Sequence, residues 1–154
     1  MLTWAPGVRE GVDPTFAGAV DACVGPLAGR FTAAEGCRSL ARSQTLYEAY
    51  KAGGPLAAPP GDSPHNYGLA VDLQLTGALG QLVWYPDVPK DVLDLPQAQR
   101  VAYLDTCPPE WSELWRAIFA APTLHSLWTY GDGDHIERVD WRRFIPPAGA
   151  ASAP

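Results

Sequence analysis

Two short segments hold most of the side chains able to do chemistry: Ser63-Pro64-His65-Asn66-Tyr67-Gly68-Leu69-Ala70-Val71-Asp72 and Asp132-Gly133-Asp134-His135-Ile136-Glu137. Together they offer His65, Asp72 and His135 as two imidazoles and a carboxylate for one tetrahedral metal ion. Asp132, three residues before the last histidine, is a spare carboxylate. Three protein ligands with a fourth position left open is the plan of a catalytic zinc ion, which acidifies a bound water. A structural zinc site closes its shell with a fourth side chain, usually Cys. Two imidazoles and one carboxylate suit zinc, although cobalt or manganese could replace it. The chemistry predicted is hydrolysis.

These residues need elements that make them converge. Leu69, Val71, Leu73 and Leu75 alternate with Ala70, Asp72 and Gln74, the period of a strand with one buried face. Asp72 then lies on the opposite face beside small Ala70, with room for a metal and a substrate. His65 falls in the loop entering that strand, between Pro64 and Gly68. In the second segment His135 and Glu137 share one face of a short strand and Ile136 faces away.

The pattern Ser63-x-His65-x-x-Gly68-x-Ala70-x-Asp72 followed by Asp132-x-x-His135 resembles the zinc D-Ala-D-Ala carboxypeptidase family. That family includes VanY-like carboxypeptidases, vancomycin-resistance dipeptidases and phage L-alanyl-D-glutamate endolysins. Glu35-Gly36-Cys37-Arg38-Ser39 with Gln44-x-x-Tyr47 is similar to its arginine-bearing stretch, and Leu56 to Gly61 to its loop before the first histidine. The resemblance spans residues 14 to 142. It implies an α+β fold of the Hedgehog/DD-peptidase-like kind: a small antiparallel sheet with helices packed on one side and the zinc cleft on the other. It also implies that His65, Asp72 and His135 hold one zinc ion and that Asp132 is the catalytic carboxylate. Arg38 would stabilise the oxyanion, and Ser63 would orient the site or the substrate. The substrate implied is the peptide stem of peptidoglycan. Asp132 in place of Glu favours an L-alanyl-D-glutamate endopeptidase (an endolysin) over a D-Ala-D-Ala carboxypeptidase or dipeptidase. A zinc-containing module without catalysis is the reading from a different class. Gly133 and Asp134 depart from the aromatic residues many relatives carry before the last ligand, which bears on substrate preference.

The physical reading of the same residues agrees. A carboxylate near the acidified water can accept its proton and later protonate the leaving amine. A guanidinium, always charged, suits a developing oxyanion better than a lysine. Alternatives stand beside each role. Asp132 could be a turn residue, and Asp134 or Glu137 could be the base. Arg38 could be a helix-entry arginine paired with Glu35, with Arg42 its rival. His125 has no motif around it and reads as an ordinary histidine.

Composition bounds the remainder. The chain has 154 residues, 47% hydrophobic and 18% charged, which predicts a single catalytic domain over 1–145 with a disordered tail over 146–154. A net charge of −6 argues against nucleic-acid binding. No run has the length for membrane insertion, and the expected state is a monomer. Met1 to Pro6 lacks the basic region and apolar run of a signal peptide, so the expectation is synthesis in the cytoplasm, followed by either retention there or delivery to the cell wall by another route such as holin-dependent release. The three cysteines make no disulfide framework, and Cys37 reads as a small buried hydrophobe.

Along the chain, Asp13-Pro14 predicts a helix start, with the helix ending near Gly29. A strand over 31–36 and a helix over 39–52 follow. Gln81 to Tyr85 is a hairpin partner for the Asp72 strand, 86–95 an exposed loop, and Pro96 and Pro109 the first residues of further helices. Trp111, Leu114, Trp115, Ile118 and Phe119 mark one buried helical face. Tyr67 and Trp128 are candidates for lining a groove, with core as the simpler reading.

Overall fold

The computed structural model describes residues 2–27, 29–76, 82–83, 96, 99, 102–127 and 132–145. Three α-helices stand out among them: α1 (Pro14–Val24), α2 (Leu40–Lys51) and α3 (Pro109–Ala120). The strands are β1 (Thr3–Trp4), β2 (Phe31–Glu35), β3 (Ala70–Thr76), β4 (Leu82–Val83), β5 (Leu124–Leu127) and β6 (Asp132–Arg138). They form one sheet in the order β1-β2-β3-β6-β5, with β4 also paired to β3.

Local chemistry explains the helix starts. The Asp13 carboxylate accepts the Phe16 N–H at 2.8 Å and Pro14 occupies the first turn, so α1 begins where an orphan N–H finds an acceptor. Ser39 caps α2 by accepting the Arg42 N–H, and Pro109 opens α3. Helix α1 stops at Val24 rather than Gly29, because Gly25-Pro26-Leu27 continues as a 3-10 turn.

The sheet is antiparallel as expected except at its edge, where β1 runs parallel to β2. Helix α1 lies between those two strands in the chain, and a helical crossover returns the backbone in its original direction. Strand β3 is the centre. It pairs with β2 along one side; on the other it pairs with β6 through Ala70–Asp72 and with β4 through Leu75–Thr76. The pairing with Leu82 and Val83 matches the expected hairpin partner. The expectations for 86–95, Trp128 and the 146–154 tail lie outside the described residues, as does nearly all of the helix expected from Pro96.

The core lies between one face of this sheet and helices α1 and α3. Phe16 and Val20 of α1, Trp111, Leu114, Trp115 and Ile118 of α3, and Val71, Leu73 and Ile136 of the sheet are fully buried together. Phe119 departs from expectation and stays 43% exposed. At 100° per residue it sits about 80° round the helix from Trp111, at the margin of the stripe. Cys37 also departs: it is exposed, in the extended segment after β2. Among the described residues no helix is long and apolar enough to cross a membrane.

Candidate metal centre

His65, Asp72 and His135 come together at the polar face of the sheet. Asp72 projects from β3, and His135 is its direct partner on β6. His65 arrives from the 3-10 turn Pro64–Tyr67 that precedes β3. Three atoms converge: His65 Nε2 lies 3.2 Å from Asp72 Oδ1 and 3.2 Å from His135 Nδ1, and His135 Nδ1 lies 3.0 Å from Asp72 Oδ1. Ligand atoms of a tetrahedral zinc ion, each about 2.0–2.1 Å from the metal, stand roughly 3.3 Å apart. The three donors already have close to that spacing.

The protons explain why a cation fits. His65 Nδ1 is 2.7 Å from the Gly36 carbonyl, which can only accept, so that nitrogen carries the hydrogen and Nε2 of the neutral ring is bare. His135 has a carboxylate at each nitrogen, Glu137 Oε2 at 3.3 Å from Nε2 and Asp72 Oδ1 at 3.0 Å from Nδ1; in the tautomer with its hydrogen on Nε2, toward Glu137, Nδ1 turns a lone pair to Asp72 and His65. Two lone pairs and a carboxylate oxygen then face one another without a proton between them. Either the imidazoles become charged or a metal ion occupies the space. Burial resists ionisation of Asp72, but the adjoining His65 and His135 outweigh it and hold the carboxyl well below its usual range. Glu137 is likewise lowered, its burial being outweighed by His135 and then His125.

Two turns hold the first histidine. Gly68 ends the 3-10 turn in the left-handed region at φ 68°, and a Cβ there would stand 2.2 Å from the Gly11 carbonyl. Only glycine lets the His65 turn lie against the Gly11–Asp13 loop. Asn66 ties the same turn to the arginine-bearing segment. Its amide donates to the Arg38 carbonyl at 2.9 Å and to Ser43 Oγ at 2.8 Å, and its Oδ1 accepts the Gly61 N–H at 3.0 Å. The Arg38 N–H in turn donates to the His65 carbonyl.

Arg38 is mostly buried and reaches the site. Its guanidinium makes a two-pronged pair with Glu35, at 2.9 and 2.8 Å, and Nη2 lies 3.6 Å from Asp72 Oδ2. Arg42, the rival, is exposed on α2. Glu35 owes its place to a bulge in β2. Ala33 pairs with Leu73 and Glu35 with Asp72, two steps on one strand against one on the other. Without the extra residue Ala34 would oppose Asp72. Glu35, Asp72 and His135 therefore form a row across β2, β3 and β6.

Ser63 is buried at the start of the His65 turn, where its carbonyl accepts the Asn66 N–H. Asp132 is the first residue of β6 and its backbone pairs with Leu127, while its side chain lies outside the described residues. A second bulge follows it. Ser126 pairs with Ile136 and Leu127 with Asp132, one step on β5 against four on β6, so Gly133, Asp134 and His135 are three extra residues. The Gly133 carbonyl in this bulge accepts from Trp115 Nε1 at 2.7 Å, anchoring it to the core. Asp134 is buried within it. His125 is not one of the converging ligands. Sequence reasoning passed over Gly36, Asn66 and Glu35 as site residues. Only the adjacency of Asn66 to His65 and of Glu35 to the arginine motif could have drawn attention to them.

The fold is similar to that of a solved structure. The Serratia marcescens L-Ala D-Glu endopeptidase ChiX aligns with a TM-score of 0.52 at 20% identity, over 93% of this chain and 94% of that one. The chain has the ChiX fold. The resemblance seen in the motifs of the carboxypeptidase and endopeptidase family therefore extends to the architecture. VanYB in complex with D-alanine-D-alanine aligns at a TM-score of 0.44 and 15% identity, over 86% of this chain and 74% of that one. A vancomycin-resistance D,D-pentapeptidase VanY mutant in complex with Zn(II) aligns at 0.42 and 17%, over 85% and 74%. No protein-family model and no curated protein sequence matches the chain.

Proposed function

We propose that this protein is a zinc peptidase that hydrolyses an amide bond in peptidoglycan stem peptides, with the L-alanyl-D-glutamate bond as its substrate. The observation that carries the reading is the convergence of three bare donor atoms, His65 Nε2, Asp72 Oδ1 and His135 Nδ1, beside a mostly buried arginine. The ChiX fold, that of an L-Ala D-Glu endopeptidase, supports it.

Zinc held by these three residues would supply a Lewis acid that brings the pKa of water to about 7. The protein's own groups carry the remaining steps. Asp132 accepts the proton of the attacking water and passes it to the leaving amine. Arg38 presents fixed positive charge to the oxygen of the scissile carbonyl as it becomes negative. Ser63, buried at the His65 turn, orients the site.

Asp132, where many carboxypeptidases of the resembled family carry Glu, favours an endopeptidase over a carboxypeptidase.

Mass spectrometry of peptidoglycan fragments, with and without a chelator, tests the reading. New stems separated at L-alanine, lost on chelation, are expected. Release of single D-alanine would make the enzyme a carboxypeptidase, and release of the dipeptide a dipeptidase. Intact walls in the presence of bound zinc would indicate a non-catalytic module. Asp132→Ala should abolish cleavage and keep zinc; if it cleaves like the parent, Asp134 becomes the next candidate base.

A further inference from the structure

Glu137 is a charged residue at the site to which the proposed reaction assigns no task. It is 7% exposed, and a carboxylate so buried is costly unless hydrogen-bonded. Its Oε2 lies 3.3 Å from His135 Nε2, whereas His135 Nδ1 is the nitrogen that faces Asp72 and His65. The imidazole ring therefore stands between Glu137 and the converging donors, which is the wrong side for a general base. The other oxygen, Oε1, lies 3.5 Å from Nδ1 of half-exposed His125, which is the partner of Glu137 across β5 and β6.

We infer that Glu137 is a positioning residue for His135. Its carboxylate accepts the Nε2–H hydrogen bond, fixes the tautomer with Nδ1 bare, and makes that nitrogen a stronger donor to the metal. The inference rests on the reading of His65, Asp72 and His135 as zinc ligands. The two histidines are braced differently: His65 leans on a neutral carbonyl, Gly36, and His135 on a carboxylate. An anionic acceptor polarises the imidazole more than a carbonyl does, so His135 should be the more basic ligand. Strand β6 supplies both members of the pair, since residues two apart on a strand share a face.

The test is zinc affinity, measured by competition with a chromophoric chelator on metal-stripped parent, Glu137→Ala and Glu137→Gln. Glu137→Ala is expected to bind zinc about 10–100-fold more weakly. Glu137→Gln is nearly isosteric, and its amide oxygen can still accept the Nε2–H, so it should fall between. With Co(II) in place of zinc, the visible absorption bands of both variants should shift, because the field of the His135 ligand changes. Circular dichroism of the metal-free proteins establishes that each is folded, and Glu137→Gln decides the matter if the alanine variant is not. Unchanged zinc affinity and an unchanged cobalt spectrum in a folded variant would overturn the inference. Lost cleavage at unchanged affinity would also overturn it, by making Glu137 a participant in the chemistry. If the parent itself binds no zinc, the metal reading fails and this inference with it, a result separable from failure at Glu137 alone.

Discussion

At the scale of single residues, function depends on where protons and charges are held. Gly36 keeps a hydrogen on His65 Nδ1, and Arg38 is fixed by Glu35 beside Asp72. A preorganised donor of this kind acts mainly on the transition state. Arg38→Ala is therefore expected to lower kcat about 10²–10³-fold. Its zinc content should be unchanged and its melting midpoint moved by only a few degrees, read by steady-state cleavage, metal analysis and thermal denaturation. The three donors were legible from their types and order, and Arg38 only through the family resemblance. The bracing was not, because Gly36 contributes a backbone carbonyl and Asn66 a side-chain amide, groups that every sequence contains in abundance. Glu35 was legible as an ion-pair partner of Arg38, which the structure bears out, and the structure also makes it a neighbour of Asp72 in the sheet.

At the scale of elements, the site depends on a turn and two bulges. Gly68 lets the His65 turn close against the Gly11–Asp13 loop, where the Asp13 N–H donates to the Gly68 carbonyl at 2.9 Å. Gly68→Ala would impose a left-handed backbone, at about 1–2 kcal/mol, and press its Cβ into the Gly11 carbonyl. Urea denaturation is expected to show a loss of at least that size, with weaker zinc binding as His65 moves. Gly53 has φ 92° but open space around it, so Gly53→Ala should cost the backbone strain alone and leave zinc affinity intact. The starts of α1, α2 and α3 and the alternation of β3 were readable, since each follows from local rules. The bulges were not, because a bulge is a mismatch between two strands and exists only once they pair.

At the scale of the whole molecule, metal, protons and stability are linked. Asp72 and Glu137 have folded pKa values below their ordinary ones. Their contribution to stability is complete above the unfolded values, roughly pH 4, and is lost as pH falls through the lower folded values. Zinc needs ligands without protons, so the zinc-dependent part should also fade in acid, as protons compete with the metal. Melting midpoints measured from pH 8 down to pH 3, with zinc or with a chelator, should separate the two. The zinc-loaded and chelated curves are expected to differ at neutral pH, to converge in acid, and both to fall below pH 4. A zinc-loaded curve that coincides with the chelated one at pH 7 would contradict a metal bound to the native state.

The sequence by itself determined which side chains could act and the broad architecture that would carry them. Histidine and aspartate spacing, helix caps and strand alternation are local properties, and each survives reading one residue after another. The tertiary structure alone decided how the donors face one another. His65 meets the Gly36 carbonyl 29 positions away, Asp72 meets His135 at 63, and His65 meets His135 at 70. Which nitrogen is bare, which carboxylate braces which ring and which residue a bulge brings opposite Asp72 depend on strand pairing, and no local pattern encodes them.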